Sequence, residues 1–148
     1  MPDENASIEE IRSFFAHDRF ATDACGCKIL EASRGHAVCT FEIAPHHRNA
    51  MGAVMGGAIF TLADFSLAVA CNVGETPTVS VSNTIEFMSG ARGDVLTATC
   101  DLRRGGRTCA FYGIDVTDEQ KTVVAHMEAT CVRLPDRRGT SQGTGDKA

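Results

Sequence analysis

Between Arg48 and Glu75 the chain carries one charged residue, Asp64, within the stretch AMGAVMGGAIFTLADFSLAVACNVG. A carboxylate in such an apolar segment is costly to bury unless something pairs with it or uses it. Burial raises a carboxyl pKa toward the range where it can act as a general base or nucleophile. The alternative reading of Asp64 is structural, a carboxylate that caps a nearby loop or bonds the side chain of Asn49. Gly56-Gly57, about two turns upstream, mark where a helix bearing Asp64 would begin. Other reactive side chains point to less. His46 and His47 are adjacent, so their rings point apart, and with no third ligand nearby in sequence no metal site is expected. Cys71 lies about two turns beyond Asp64 on a similar face, but no histidine partner is indicated, so it reads as a core thiol. The run Arg103-Arg104-Gly105-Gly106-Arg107 could hold one or two phosphates and is too short to follow a nucleic-acid duplex.

Composition narrows the class. The chain has 148 residues, 43% of them apolar and 22% charged, with a formal net charge of -5. This suits one soluble globular domain and argues against nucleic acid as a partner. Positions 1–134 read as that domain, and 135–148 (PDRRGTSQGTGDKA) as a polar, disordered tail. The acidic start MPDENASIEEIRS lacks the pattern of a signal peptide, and the seven scattered cysteines form no CxxC pair. Reduced thiols in a cytoplasmic protein are therefore expected. A membrane span over 50–73 is disfavoured by the central aspartate and the glycine-rich start.

The elements that must position Asp64 follow from periodicity. Ser7 and Glu10 fit a capping box for a helix through Ile8, Ile11, Phe14 and Phe15 within positions 1–19. Strands are expected at 27–32 and 36–43 around Ser33-Arg34-Gly35; in the second, either face could be buried. A loop at 45–52 leads to the central helix, 56–72, closed by Gly74 and Pro77. Val79, Val81, Asn83, Ile85 and Phe87 read as one face of the next strand, followed by strands at 94–102, 108–116 and 123–131. Hairpins are signalled at 104–106 and 117–120. His126 falls on the solvent side of the last strand. The order predicts an α+β domain, an antiparallel sheet wrapped on one long helix. One sheet cannot cover every side of so apolar a helix, and a second copy is a natural cover.

The segment Asn49-Ala-Met-Gly-Ala-Val-Met55-Gly56-Gly57, followed seven residues later by Asp64, resembles the signature of hotdog-fold thioesterases of the phenylacetate-degradation (PaaI-like) type. The later VSVSNTIEFMSGARGDVLTATCDLRRGGRT resembles the same family, and the likeness spans roughly 20–134. The resemblance implies acyl-CoA thioester hydrolysis with coenzyme A as part of the substrate and no separate cofactor. It gives Asp64 the base or nucleophile role, the backbone N–H of Gly56 or Gly57 the oxyanion role, and Asn49 an orienting role. It places Ser80 or Ser82 near the acid, Ser80 fitting the alignment better, and makes Arg92, Arg104 and Arg107 candidates for the phosphates of coenzyme A. Met55 stands where the family usually has histidine beside the glycines, and a thioether cannot donate a hydrogen bond.

Such a site suits the chemistry. Thioester hydrolysis needs donors for an oxygen gaining negative charge and a group to deliver water. Helix-start N–H groups supply the donors, and glycine allows close approach. Eight residues from Gly56 to Asp64 span about 12 Å of helix, too far for one carbonyl to meet both. Antiparallel helices from two chains would bring Asp64 of one toward Gly56 of the other, so a homodimer or homotetramer is expected. The competing reading is a non-catalytic acyl-CoA or acyl-carrier binding protein that has lost turnover through Met55. A hotdog dehydratase ranks below both, because the central helix has no histidine.

Overall fold

In the computed structural model, which describes residues 1–135, the sheet wraps the central helix as expected for a hotdog fold. Helix α1 (Ile8–Phe15) is followed by a π-helical turn (Phe20–Ala24), strands β1 (Lys28–Ser33) and β2 (His36–Glu42), and a 3-10 turn (Pro45–His47). Helix α2 (Gly56–Asn72) leads into β3 (Thr78–Phe87), β4 (Val95–Gly105), β5 (Cys109–Asp118) and β6 (Val123–Arg133). The six strands form one antiparallel sheet in the order β1-β2-β4-β5-β6-β3. Of the tail expected to be disordered, 135–148, all but Pro135 lies outside the described residues.

Local chemistry sets the helix ends. Ser7 and Glu10 make the reciprocal capping box, the Ser7 N–H donating to the Glu10 carboxylate at 2.8 Å. Helix α1 occupies only Ile8–Phe15 of the 1–19 stretch and buries Ile11 and Phe15. Helix α2 stops where Gly74 takes φ +66° against the backbone of Glu4, a conformation that L side chains rarely adopt. Asn72, its last residue, then acts as a splint to β3. The Asn72 amide donates to the Thr78 carbonyl at 3.1 Å and accepts the Thr78 N–H at 2.9 Å, while also donating to Ala68 O at 3.0 Å.

The core lies between α2 and the sheet. Ala37, Cys39 and Phe41 settle which face of β2 turns inward, and Tyr112, Ile114, Val116, Met127 and Cys131 meet them. Cys25, Cys27, Cys39, Cys71, Cys100 and Cys131 are buried and Cys109 half-buried, all as free thiols. Burial, with a small contribution from Cys25, pushes the Cys27 thiol up to about 12. Among the described residues no helix is long and apolar enough to cross a membrane.

Two features depart from simple periodicity. Helix α2 is not enclosed all round: Ile59, Leu62, Ala63, Phe65, Ser66 and Val69 are buried, whereas Gly57, Phe60, Thr61, Asp64 and Ala68 recur at helical spacing as a stripe the sheet leaves open. The second departure corrects the strand reading. In β3 the register slips between Ser80, which pairs with Cys131, and Ser82, which pairs with Thr130. This β-bulge at Val81 reverses the alternation. Val79 and Val81 are 43% and 60% exposed, while Ser80 before the bulge and Asn83 after it share the face toward α2. One extra residue thus turns Asn83 inward.

Candidate active site

Asp64 sits midway along the open stripe, at the wall between two clefts. One, of about 450 Å³, is bounded by Phe60, Thr61 and Ala68 of α2 and by Asp18, Arg19 and Phe20 from the segment after α1. The other, of about 250 Å³, runs along Ala68, Cys71 and Asn72 to Thr78 and Ser80. A more apolar cavity of about 410 Å³ lies between α1 and β1 and shares the Phe65 wall with the larger cleft. It holds neither Asp64 nor the glycines.

Burial raises the Asp64 pKa, the negative charge of Asp18 raises it further, and a hydrogen bond from Asn83 works in the other direction. That bond runs from Asn83 Nδ2 to Asp64 Oδ1 at 3.4 Å, and the same Nδ2 lies 3.4 Å from Ser80 Oγ. A carboxylate with a raised pKa, in a cleft and with room in front of it, is suited to taking a proton.

The start of α2 presents donors. Met55 is the N-cap and its side chain makes no capping bond. Its carbonyl accepts the N–H groups of Ala58 at 3.0 Å and Ile59 at 3.2 Å, and among the described residues the N–H groups of Gly56 and Gly57 have no acceptor. The positive end of the helix dipole lies here as well. A Cβ on Gly56 would sit 3.1 Å from the Phe87 ring, and one on Gly57 would sit 3.2 Å from Met55 Cε. Met55 therefore folds over the second glycine, with 54% of its surface exposed.

The loop before the helix is shaped by Asn49 and clasped by two histidines. Asn49 Oδ1 accepts the N–H groups of Met51 at 3.0 Å and Ala53 at 3.1 Å, an Asx-turn, and makes no bond to Asp64 within the chain. His47 stacks on Phe41, accepts the Ala44 N–H at Nδ1 (2.9 Å) and meets the Cys25 carbonyl at Nε2 (3.0 Å). His46 Nε2 meets the Ala24 carbonyl at 3.0 Å. These rings fasten the loop to the π-helical turn, and among the described residues no cluster of metal-ligating side chains occurs.

The remaining candidates separate by face and by end. Ser80 opens onto the Asp64 cleft, whereas Ser82, paired with Thr130, lies on the outer face of the sheet. Arg92 is exposed in the loop after β3, the strand whose last residue Phe87 reaches Gly56, and its N–H donates to the Asp118 carboxylate at 3.0 Å. Arg104 and Arg107 are exposed at the opposite end. There Arg107 shares a cleft of about 460 Å³ with Arg34 and Arg133, both paired with Glu75. His126 lies on the outer face, between Asp115 and Glu128. Sequence reasoning missed the hydrogen bond from Asn83 to the acid and the charge of Asp18 in the same cleft; Asn83 was visible only as one polar residue within a strand face.

A family model described as "Thioesterase superfamily" matches residues 51–125. The acyl-coenzyme A thioesterase PaaI of Escherichia coli is 35% identical over 115 residues, 74% of this chain and 82% of that protein. Human acyl-coenzyme A thioesterase 13 is 32% identical over 94 residues, 62% of this chain and 67% of that protein. The solved structure of the E. coli PaaI protein superposes with a TM-score of 0.74 at 30% identity, covering 87% of this chain and 97% of that one. A Streptococcus mutans structure bound to acetyl CoA superposes with a TM-score of 0.69 at 25% identity, covering 73% and 88%.

Proposed function

Because the chain belongs to the thioesterase superfamily, we propose that it hydrolyses acyl-CoA thioesters to free acid and CoA, with Asp64 as the proton-accepting group. The observation that carries this reading is Asp64 itself, the carboxylate on the open stripe of α2, facing two clefts with its pKa raised. In the step proposed, Asp64 takes a proton from water as the water oxygen bonds to the thioester carbon. The carbonyl oxygen becomes negative and is met by the N–H groups of Gly56 or Gly57. The tetrahedral species then collapses: the C–S bond breaks, and the proton held by Asp64 passes to the departing sulfur. Coenzyme A enters as part of the substrate, with Arg92, Arg104 and Arg107 as candidate phosphate contacts. The E. coli relative's name and the acetyl-CoA-bound neighbour support this substrate class.

The site is completed by a second copy of the chain. Asp64 and Gly56 lie on one helix about 12 Å apart along the axis, beyond the reach of a single carbonyl. The stripe bearing Asp64 is open, and β3 is an edge strand of ten residues with Val81 and Phe87 exposed. Pairing of two β3 edges would cover both features and bring the glycines of one chain to Asp64 of the other. In that pairing Asn49 and Ser80 flank the thioester.

The test is release of thiol from acetyl-, hexanoyl-, palmitoyl- and phenylacetyl-CoA by wild type and Asp64→Ala. A loss of at least about 100-fold is expected; turnover that survives unchanged overturns the assignment. Met55 favours one second reading, an acyl-CoA binding protein without turnover, because its thioether covers Gly57 and donates no hydrogen bond. Tight acyl-CoA binding by a wild type that releases no thiol would select it. A large rate gain in Met55→His would instead mark a hydrolase working below its capacity.

A further inference from the structure

The cavity of about 410 Å³ between α1 and β1 takes no part in the chemistry above. Its apolar wall is made by Phe15, Cys27, Ile29, Leu30 and Phe65. The longer polar side chains at its border are engaged elsewhere. Arg12 donates from Nε and Nη2 to the Ile29 carbonyl at 3.0 and 2.8 Å, and from Nη1 to Glu9 at 2.7 Å. Thr22 donates to the Asp18 carbonyl at 3.1 Å, and Lys28 pairs with Glu42 at 3.2 Å. A carboxylate or hydroxyl lodged here would give up water for groups that already have partners, whereas hydrocarbon gains from every apolar contact. The fitting occupant is therefore an unfunctionalised chain whose polar end lies outside the cavity.

The neighbouring cleft supplies the place for that polar end. Phe65, next in sequence to Asp64, is the only residue that lines both spaces. Beside it the boundary is continued by Ala21, which faces the Asp64 cleft, and Thr22, which faces the cavity. Phe65 meets Phe15 edge-on with ring centroids 6.2 Å apart. A straight chain attached to a thioester at Asp64 thus has one aromatic ring between it and the cavity. Strand β1 is the edge of the sheet opposite β3, so pairing of two copies through β3 does not fill this space. We propose that the cavity between α1 and β1 holds the distal hydrocarbon of a straight-chain acyl group whose thioester lies at Asp64, with Phe65 marking where that part of the site begins. The inference rests on the acyl-CoA hydrolase reading above and names its substrate class: saturated straight-chain esters long enough to pass Phe65. A phenylacetyl group, a ring on a single methylene, ends in the Asp64 cleft of about 450 Å³ and leaves the cavity empty. Each methylene added beyond Phe65 should raise kcat/KM about fourfold.

The experiment measures kcat/KM of wild type, Ala16→Trp and Leu30→Trp with straight-chain esters from acetyl- to dodecanoyl-CoA and with phenylacetyl-CoA. Ala16, at the end of α1, and Leu30, on β1, line the cavity and are both exposed, so an indole at either position fills it from outside the core. Wild type should favour dodecanoyl- over acetyl-CoA. Each filling variant should lower the dodecanoyl-to-acetyl ratio at least about tenfold and leave the phenylacetyl-to-acetyl ratio in place. Loss of folded protein cancels in a ratio taken within one preparation. In parallel, the methyl groups of Thr22, Ile29 and Leu30 are followed by NMR as the dodecyl or the ethyl thioether of CoA is added to wild type. The dodecyl compound should shift them and the ethyl compound should not. A dodecanoyl-to-acetyl ratio unchanged in both variants, or methyl groups that do not respond to the dodecyl thioether, overturns the proposal. The two readings fail separately. Turnover that is lost in Asp64→Ala but indifferent to both fillings removes the cavity alone. Wild type that releases no thiol from any ester, yet shows the methyl shifts with the dodecyl thioether, loses the hydrolase reading and keeps the cavity as an acyl-chain site.

Discussion

Replacing Asn72 by alanine tests whether the splint between α2 and β3 is what sets the site. The amide makes three hydrogen bonds to backbone groups, at 2.9, 3.0 and 3.1 Å, two of them to the N–H and C=O of Thr78. Each such bond contributes about 1 kcal/mol net, and Thr78 is buried, so its backbone groups would lose partners without gaining free access to water. The sum is a loss of roughly 2–3 kcal/mol, or a fall in melting temperature of about 6–10 °C for a domain of this size. The measurement is urea and thermal unfolding of wild type, Asn72→Ala and Asn72→Asp at one protein concentration, since an associating chain melts in a concentration-dependent way. Asn72→Asp keeps the acceptor for the Thr78 N–H but turns a carboxylate toward two carbonyls. It should be as unstable as the alanine variant at neutral pH and should recover when acidified. A melting temperature of Asn72→Ala within 1 °C of wild type would refute the reasoning (resolving power of about a third of a kcal/mol).

The other expectations concern charge and edges. Burial, reinforced by Asp18, raises the Asp64 pKa in the folded state, so its ionisation opposes folding once the pH exceeds the unfolded value. Asp64→Asn should therefore melt above wild type at pH 7, with the gain vanishing below the ordinary carboxyl range; a lower melting temperature at pH 7 contradicts this. For the same reason the acidic limb of the wild-type kcat profile should lie above the ordinary aspartate value of about 3.9. His47 behaves oppositely: burial, then the neighbouring His46, hold its pKa below the usual value against the bond to Cys25. Its contribution is complete above about pH 6.5 and is lost as the pH falls through the lowered folded value, so urea midpoints between pH 7.5 and 5 should fall less in His47→Gln than in wild type. Val81→Lys, placed on the open edge of β3, should shift the protein to monomer in light scattering and abolish turnover; an active dimer would argue against pairing through that edge.

Much of this was legible from residue types alone. The capping box at Ser7 and Glu10, the span of α2, the strand set and the solvent side of β6 at His126 all follow from local rules acting without conflict. Asp64 stood out because nothing apolar explains it. What stayed hidden depended on a single inserted residue. Val79-Ser80-Val81-Ser82-Asn83 alternates as written, and only pairing with β6 shows that Val81 is extra and that Ser80 and Asn83 face the same way. The role of His46 and His47 was hidden for a related reason: their partners are carbonyls at Ala24 and Cys25, far away in sequence and without a side-chain signature. The open stripe on α2 was also invisible, since a uniformly apolar helix does not say which side its own sheet leaves bare.

The sheet ends differently on its two sides. Strand β1 is six residues long, carries a register slip between Ile29 and Glu31, and bears the Lys28–Glu42 ion pair. Strand β3 is ten residues long, with apolar side chains on its bare flank. Irregular, charged, short strands resist adding another strand, and long apolar ones invite it. A molecule with one blunted edge and one open edge can extend its sheet once, by a two-fold contact that consumes the open edge in both copies. Growth then terminates. The asymmetry that exposes β3 to a partner is also what keeps such pairing from running on into a fibre.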